Sequence, residues 1–206
     1  MVDTSIDYAR IFDRVLSDPR YKQGITYGKP RQGHQEGTVA NHIDQLDSNL
    51  ERLRGVLSSD EQYWKLRLLI YTHDTFKLWA KRDSPIEDPQ SHGSLAQAFL
   101  AEFLDNNDPI ARDLLHIVKY HDEPYALWKQ VESKGKYNQE RFRRNVVDGV
   151  ADIELFLLFT LIDGYTPSKK PKRIRWYVEE VSRDPKVAAY PQLLKNVYAA
   201  LTIFGI

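Results

Sequence analysis

Apolar positions recur every three or four residues along most of this chain, and no strand-like alternation of useful length interrupts them. Tyr8, Ile11, Phe12, Val15 and Leu16 mark a short helix over Asp7 to Leu16, stopped near Asp18-Pro19. Residues 20–37 hold Gly24, Gly28, Pro30, Gly33 and Gly37 and read as a polar loop. A loop of that length inside a compact domain is usually functional or disordered. Val39, Ile43, Leu46, Leu50, Leu53 and Leu57 share one face of a helix from Thr38 to Leu57. Ser58-Ser59-Asp60 forms a turn and N-cap for the next helix, which carries Leu66, Leu69, Ile70, His73 and Lys77 at helical spacing. A loop from Lys81 to Gly93, broken by Pro85 and Pro89, leads to a helix from Ser94 to Leu104, capped by Ser94 or Ser91. Another starts at Asp108-Pro109 and runs to about His121. The charged segment Lys129 to Arg144 predicts an exposed helix, and the nearly all-apolar Asp152 to Gly164 a central one buried on most sides. Helices near Ile174 to Ser182 and Pro191 to Phe204 complete an all-α architecture.

Composition narrows the function more than the fold. The 206 residues suffice for one well-buried domain. Lysine plus arginine and aspartate plus glutamate stand at 29 each, a balance that argues against a broad nucleic-acid surface or a membrane footprint. There is no cysteine, so any metal must be held by histidine and carboxylate. The N-terminal Met-Val-Asp-Thr-Ser-Ile-Asp-Tyr lacks a basic region followed by an apolar core, and the apolar run Leu155 to Ile162 falls short of the roughly 20 residues needed to span a bilayer. A soluble cytoplasmic protein is the expectation.

The six histidines can be weighed one by one. His42 shares a face with Val39 and Leu46, His73 follows Leu69 and Ile70 by one turn, and His121 follows Ile117 and Val118. All three point inward on this pattern, as does Asp163 at the end of the most apolar helix. His116 shares a face with Arg112, Asp113, Lys119 and Tyr120 and is expected to be solvated. His92 precedes a helix, and His34 lies in the glycine-rich loop. A lone inward histidine is more often a hydrogen-bonded core residue than a ligand. An adjacent His73-Asp74 pair together with His42, His121 and Asp163 is instead an N/O donor set that suits zinc, iron, manganese or magnesium.

The order of these residues resembles the HD-domain superfamily of metal-dependent phosphohydrolases, in which a histidine, a His-Asp doublet and a distal aspartate fall on successive helices. Here these are His42, His73-Asp74 and Asp163. Gly33-His34-Gln35-Glu36-Gly37-Thr38-Val39-Ala40-Asn41-His42 is similar to the segment before the first ligand in HD domains related to those of tRNA nucleotidyltransferases. His73-Asp74-Thr75-Phe76-Lys77 is similar to the family's His-Asp-x-x-Lys, and His92-Gly93 and Tyr120-His121-Asp122 to its two additional histidine elements. Thr75-Phe76 departs from the small residues common there. The resemblance covers roughly residues 34 to 166. It implies a single-domain helical bundle with residues 1–33 and 167–206 packed on that core, and a metal site between core helices.

The resemblance further implies that His42, His73, Asp74 and Asp163 hold one divalent ion (iron, manganese, zinc, cobalt or nickel, with magnesium a further option). It assigns Asp74, His92 and His121 to a second. Asp74 would hold the nucleophile, and Lys77 would meet a phosphate oxygen or leaving group unless it is an ordinary exposed lysine. His34 would contact substrate or protonate the leaving oxygen unless it is a plain loop residue. The basic run from Ser168 to Arg175 is either an attractor for a nucleotide's phosphates or a solvated face. Trp79, Tyr125, Trp128 and Trp176 either stack a base or build core and groove wall. The leading expectation is hydrolysis of a phosphate ester or anhydride of a nucleotide or similar small molecule. A di-iron oxygenase and a non-catalytic nucleotide sensor are the alternatives.

Overall fold

A computed structural model describes residues 6–30, 35–105, 108–166 and 171–206. His34 and residues 168–170 of the basic run lie outside them. Twelve α-helices occur among the described residues, and the sole β-type pairing is one antiparallel bridge between Gly28 and Thr38. None of these helices is long and apolar enough to cross a membrane.

The bundle is built around α9 (Ile153–Gly164), where Leu155, Phe156, Leu157, Leu158, Leu161 and Ile162 lose all contact with solvent. A helix apolar on every side needs neighbours on every side. They are α3 (Val39–Leu53), α4 (Asp60–Thr72), α10 (Pro171–Ser182) and α12 (Pro191–Phe204). The amphipathic α1 (Tyr8–Ser17) closes the outer face of α4. Local caps set the starts: the Thr38, Ser59, Ser91 and Asp152 side chains accept hydrogen bonds from Asn41, Gln62, Ser94 and Leu155 N–H groups.

Three segments depart from the sequence pattern. Asp18 ends α1 and caps a further helix, α2 (Pro19–Gly24), in what reads as loop; with Pro19 at its first position, six residues suffice for one closed turn. The charged segment Lys129 to Arg144, expected to contain an exposed helix, holds the second half of α7 (Glu123–Lys134), which starts earlier and stops at Gly135, whose φ of 68° gives a left-handed C-cap. A short α8 (Gln139–Phe142) and a π-helical turn over Arg143–Val147 follow it. Finally, α4 does not carry through to Lys77. Thr72 and Thr75 hydroxyls donate to the Leu68 and Tyr71 carbonyls, and the His73 ring bonds the Leu69 and Ile70 carbonyls. These side chains occupy acceptors in the final turn, the helix ends at His73, and Thr75–Leu78 winds as a 3₁₀ turn.

Two helices lie at near-zero clearance where the chain must come closest. α5 (His92–Ala101) runs along α6 (Pro109–Tyr120) so tightly that a Cβ on Gly93 would fall 2.4 Å from the Lys119 carbonyl oxygen. Likewise, a Cβ on Gly24 would fall 2.1 Å from the Thr75 carbonyl, pinning α2 on the 3₁₀ turn. Backbone is the obstacle in both cases, so no rotamer change relieves it. Gly93→Ala is expected to cost about 1–3 kcal/mol through overpacking, read as a lowered midpoint in chemical denaturation; an unchanged midpoint would show slack between α5 and α6.

Candidate metal centre

His42 lies mid-face on α3, His73 is the C-cap of α4, and Asp74 follows it into the 3₁₀ turn. His92 opens α5, His121 closes α6, and Asp163 lies in the last turn of α9. The fold brings these six side chains together. His42, His73 and Asp163 present ligand atoms within 4.8 Å of one another, and so do Asp74, His92 and His121. The two groups touch through Asp74: its Oδ2 is 3.5 Å from His73 Nε2 and 3.9 Å from His42 Nε2, while its Oδ1 is 3.6 Å from both His92 Nε2 and His121 Nε2. His42 Nε2 lies 3.0 Å from Asp163 Oδ1, and His92 Nε2 3.0 Å from His121 Nε2.

The hydrogen bonds around the cluster aim the rings. His73 Nδ1 donates to the Ile70 carbonyl at 2.9 Å and His121 Nδ1 to that of Val118 at 2.7 Å. Each leaves the opposite nitrogen facing the cluster, the arrangement by which outer hydrogen bonds fix the tautomer of a ligating imidazole. His73 Nε2 and Asp74 Oδ1 are buried with no hydrogen-bond partner. Unpaired polar atoms of this kind cost about 1–3 kcal/mol each unless a ligand meets them. His92 Nε2 and His121 Nε2, 3.0 Å apart, need one proton between them, and a metal ion can take that proton's place. An N/O donor set of four histidines and two aspartates fits a divalent transition-metal ion. These buried groups are able to hold one; its identity is open.

Electrostatics tie the groups into one unit. Burial pushes the Asp74 carboxyl up, but Lys77 and the surrounding rings override it and hold it well below the usual carboxylate range. Burial would strip Lys77 of its proton; Asp74, with which it is ion-paired, and Asp122 keep it charged. Burial lowers His73 to about 4. For His121 burial also disfavours the cation, but Asp122 and Asp74 outweigh it and raise the ring to about 9.

Several residues that shape the centre were given no role of their own from the sequence. Asp122 Oδ2 lies 3.3 Å from His92 Nε2, with its side chain 43% exposed at the rim. Its adjacency to His121 was the available signal. Asn49 Nδ2 donates to the Ile162 and Tyr165 carbonyls at 3.0 and 2.7 Å, so α3 grips the end of α9 on both sides of Asp163. Glu36 Oε1 lies 3.9 Å from His42 Nδ1. Behind Asp122, the fully buried Glu123 accepts from Arg141 Nε at 2.9 Å and Asn145 Nδ2 at 2.7 Å, which fixes the start of α7.

His116, expected in solvent, is half-buried: its Nε2 donates to the Asn145 carbonyl at 2.8 Å, and burial lowers its pKa. Its companion Asp113 is buried too and accepts from the Ala151 and Asp152 N–H groups. The π-helical turn and the start of α9 cover that face of α6, a long-range contact that periodicity does not register. The described part of the basic run stacks rather than floats: Lys172 lies over Trp128 and Arg173 over Tyr125. Trp128 and Trp176 pack on each other, while Trp79 and Tyr125 are exposed.

No protein-family model, no curated protein and no solved structure matches the chain.

The opposed shifts of His73 and His121 give the metal-free protein a stability optimum. Between pH about 4 and 6.5 the unfolded chain binds a proton that folded His73 refuses, so stability rises with pH. Between 6.5 and about 9 folded His121 holds a proton the unfolded chain has lost, so stability falls. The melting temperature of chelator-treated protein should peak near pH 6.5. Added manganese, iron or zinc should abolish the alkaline decline by displacing the His121 proton; a decline identical with and without metal would count against the centre.

Proposed function

We propose that this protein is a metal-dependent phosphohydrolase of the HD-domain type acting on a phosphate ester or anhydride of a small molecule. The observation that carries the reading is the convergence of four histidines and Asp163, from α3, α4, α5, α6 and α9, around one buried carboxylate, Asp74, with a protonated lysine beside it. A purely structural core has no use for that many titratable groups at one point, and perturbed groups clustered beside a cavity mark functional sites.

His42, His73 and Asp163 would hold one divalent ion, and Asp74, His92 and His121 a second, with Asp122 completing the rim. Such an ion supplies hydroxide at neutral pH, by lowering the pKa of water from about 16 towards 7, and neutralises phosphoryl oxygens. The protein's own part is binding and charge placement. Lys77 carries a fixed positive charge on the open side of Asp74, where a phosphate oxygen can replace the carboxylate as its partner. Asp74 stays ionised, so its carboxylate is able to accept a hydrogen bond from water inside the cluster. The buried rings of His73 and His121 keep bulk water from competing for these groups.

A screen of phosphomonoesters, phosphodiesters and anhydrides with manganese, iron, cobalt, nickel and magnesium tests the reading. Asp74→Asn should lose both bound metal and turnover. Lys77→Met should keep its metal and lose about 100-fold in kcat, the typical effect of removing one group that stabilises developing charge. Full activity in Asp74→Asn, or oxygen uptake on a polyol with no phosphate released, would overturn it.

A further inference from the structure

The cavity beside the metal centre is about 390 Å³, at the small end of the range for ligand pockets. Its floor is His42, Asp74 and Lys77. Its mouth is formed by the chain just before α3 on one side and the turn after the 3₁₀ segment on the other, which place Lys29 and Arg82 on the lining. Neither cation makes an ion pair with a described residue, whereas Arg20, Arg54, Arg141 and Arg143 are all engaged with carboxylates. Against the single carboxylate of Glu36 on the same wall, Lys29 and Arg82 leave the mouth net positive, above a floor where Lys77 and Asp74 already balance each other.

Both cations sit on constrained backbone. Lys29 follows Gly28, whose φ of 112° accompanies the bridge to Thr38, and Val39 N–H donates to the Tyr27 carbonyl at 2.9 Å. Arg82 precedes Asp83, whose φ of 58° makes it the one described non-glycine residue in the left-handed region. The neck of its loop is tied by a 3.0 Å bond from Lys81 N–H to the Gln90 carbonyl. The wall offers little to a nucleobase. Apart from the His42 imidazole on the floor, Tyr27 is the single aromatic ring among the described lining residues, and Trp79, Tyr125, Trp128 and Trp176 lie elsewhere.

We infer that the cavity takes a compact substrate with two separated anionic groups, a phosphoester held at the metal and Lys77 end and a second phosphate or carboxylate held by Lys29 and Arg82, in preference to a nucleotide. This rests on the phosphohydrolase reading for which group reacts, but the second anion subsite is a matter of binding alone. Its two cations form charge-assisted hydrogen bonds with the far group, and they discriminate against molecules that end in an uncharged ring.

Titration calorimetry of the purified protein with 3-phosphonopropionate, propylphosphonate and adenosine monophosphate tests the subsite. 3-Phosphonopropionate should bind about tenfold tighter than propylphosphonate, the equivalent of one charge-assisted hydrogen bond. That gap should close in the Lys29→Ala, Arg82→Ala double variant, while propylphosphonate binds it as it binds the parent. Both residues are exposed, and an unchanged melting temperature would confirm that the variant folds. Equal binding of the two phosphonates, a gap that survives in the variant, tightest binding of adenosine monophosphate, or no binding at all would each overturn the inference. If no phosphoester is turned over yet the gap appears and depends on Lys29 and Arg82, the hydrolase reading falls and the subsite stands. If phosphomonoesters are turned over with no dependence on these residues, the reverse holds.

Discussion

A carboxylate buried as deeply as Asp74 cannot remain bare. Desolvating an ion costs several kcal/mol even after relaxation, and the cost is recovered only with partners in good geometry. Lys77 provides one such partner on the same 3₁₀ turn, and His42, His73, His92 and His121 close around the remaining directions. The architecture can be understood as the set of helix positions that lets five helices present one group each, or two, to that point. α9 is apolar on every side through its middle because its two charged residues, Glu154 and Asp163, fall in its first and last turns.

Much of this was legible from residue patterns. The bounds of the last helix, Pro191–Phe204, follow directly from its apolar spacing, and Asp108-Pro109, Ser59 and Asp152 signal their helix starts through cap chemistry. Inward-facing histidines were also recoverable, because a polar residue on an apolar stripe stands out. What failed did so where a side chain's fate depends on distant chain. His116 and Asp113 look solvated on α6 alone and are covered by residues 145–152. The end of α4 at His73 depends on side chains competing for carbonyls, a local effect that apolar periodicity does not weigh.

The roles of Asn49 and Glu123 were equally hidden, since neither residue type in its own helix announces a partner over 100 residues away, or a half-buried arginine. Together they form an outer layer of bonds. Asn49 sets the position of Asp163 relative to His42, because both Asn49 and His42 are on α3. The Glu123–Arg141–Asn145 set does the same for Asp122 and His121 at the junction of α6 and α7. Asn49 is anchored in the middle of α3 and Glu123 at the first position of α7, so the inner groups are supported from helices whose own geometry is stiff.

The ring bonds of His73 and His121 also separate two timescales of assembly. Both close within a single helical turn, to Ile70 and Val118, so the tautomer and heading of each imidazole are settled as soon as α4 and α6 form. The contact between His42 and Asp163 spans 121 residues of chain and must wait for the loop closure that docks α3 on α9. Half of the centre is therefore written locally and early, and the other half is a late act of docking. Folding of this chain and assembly of its His/Asp cluster end in the same event.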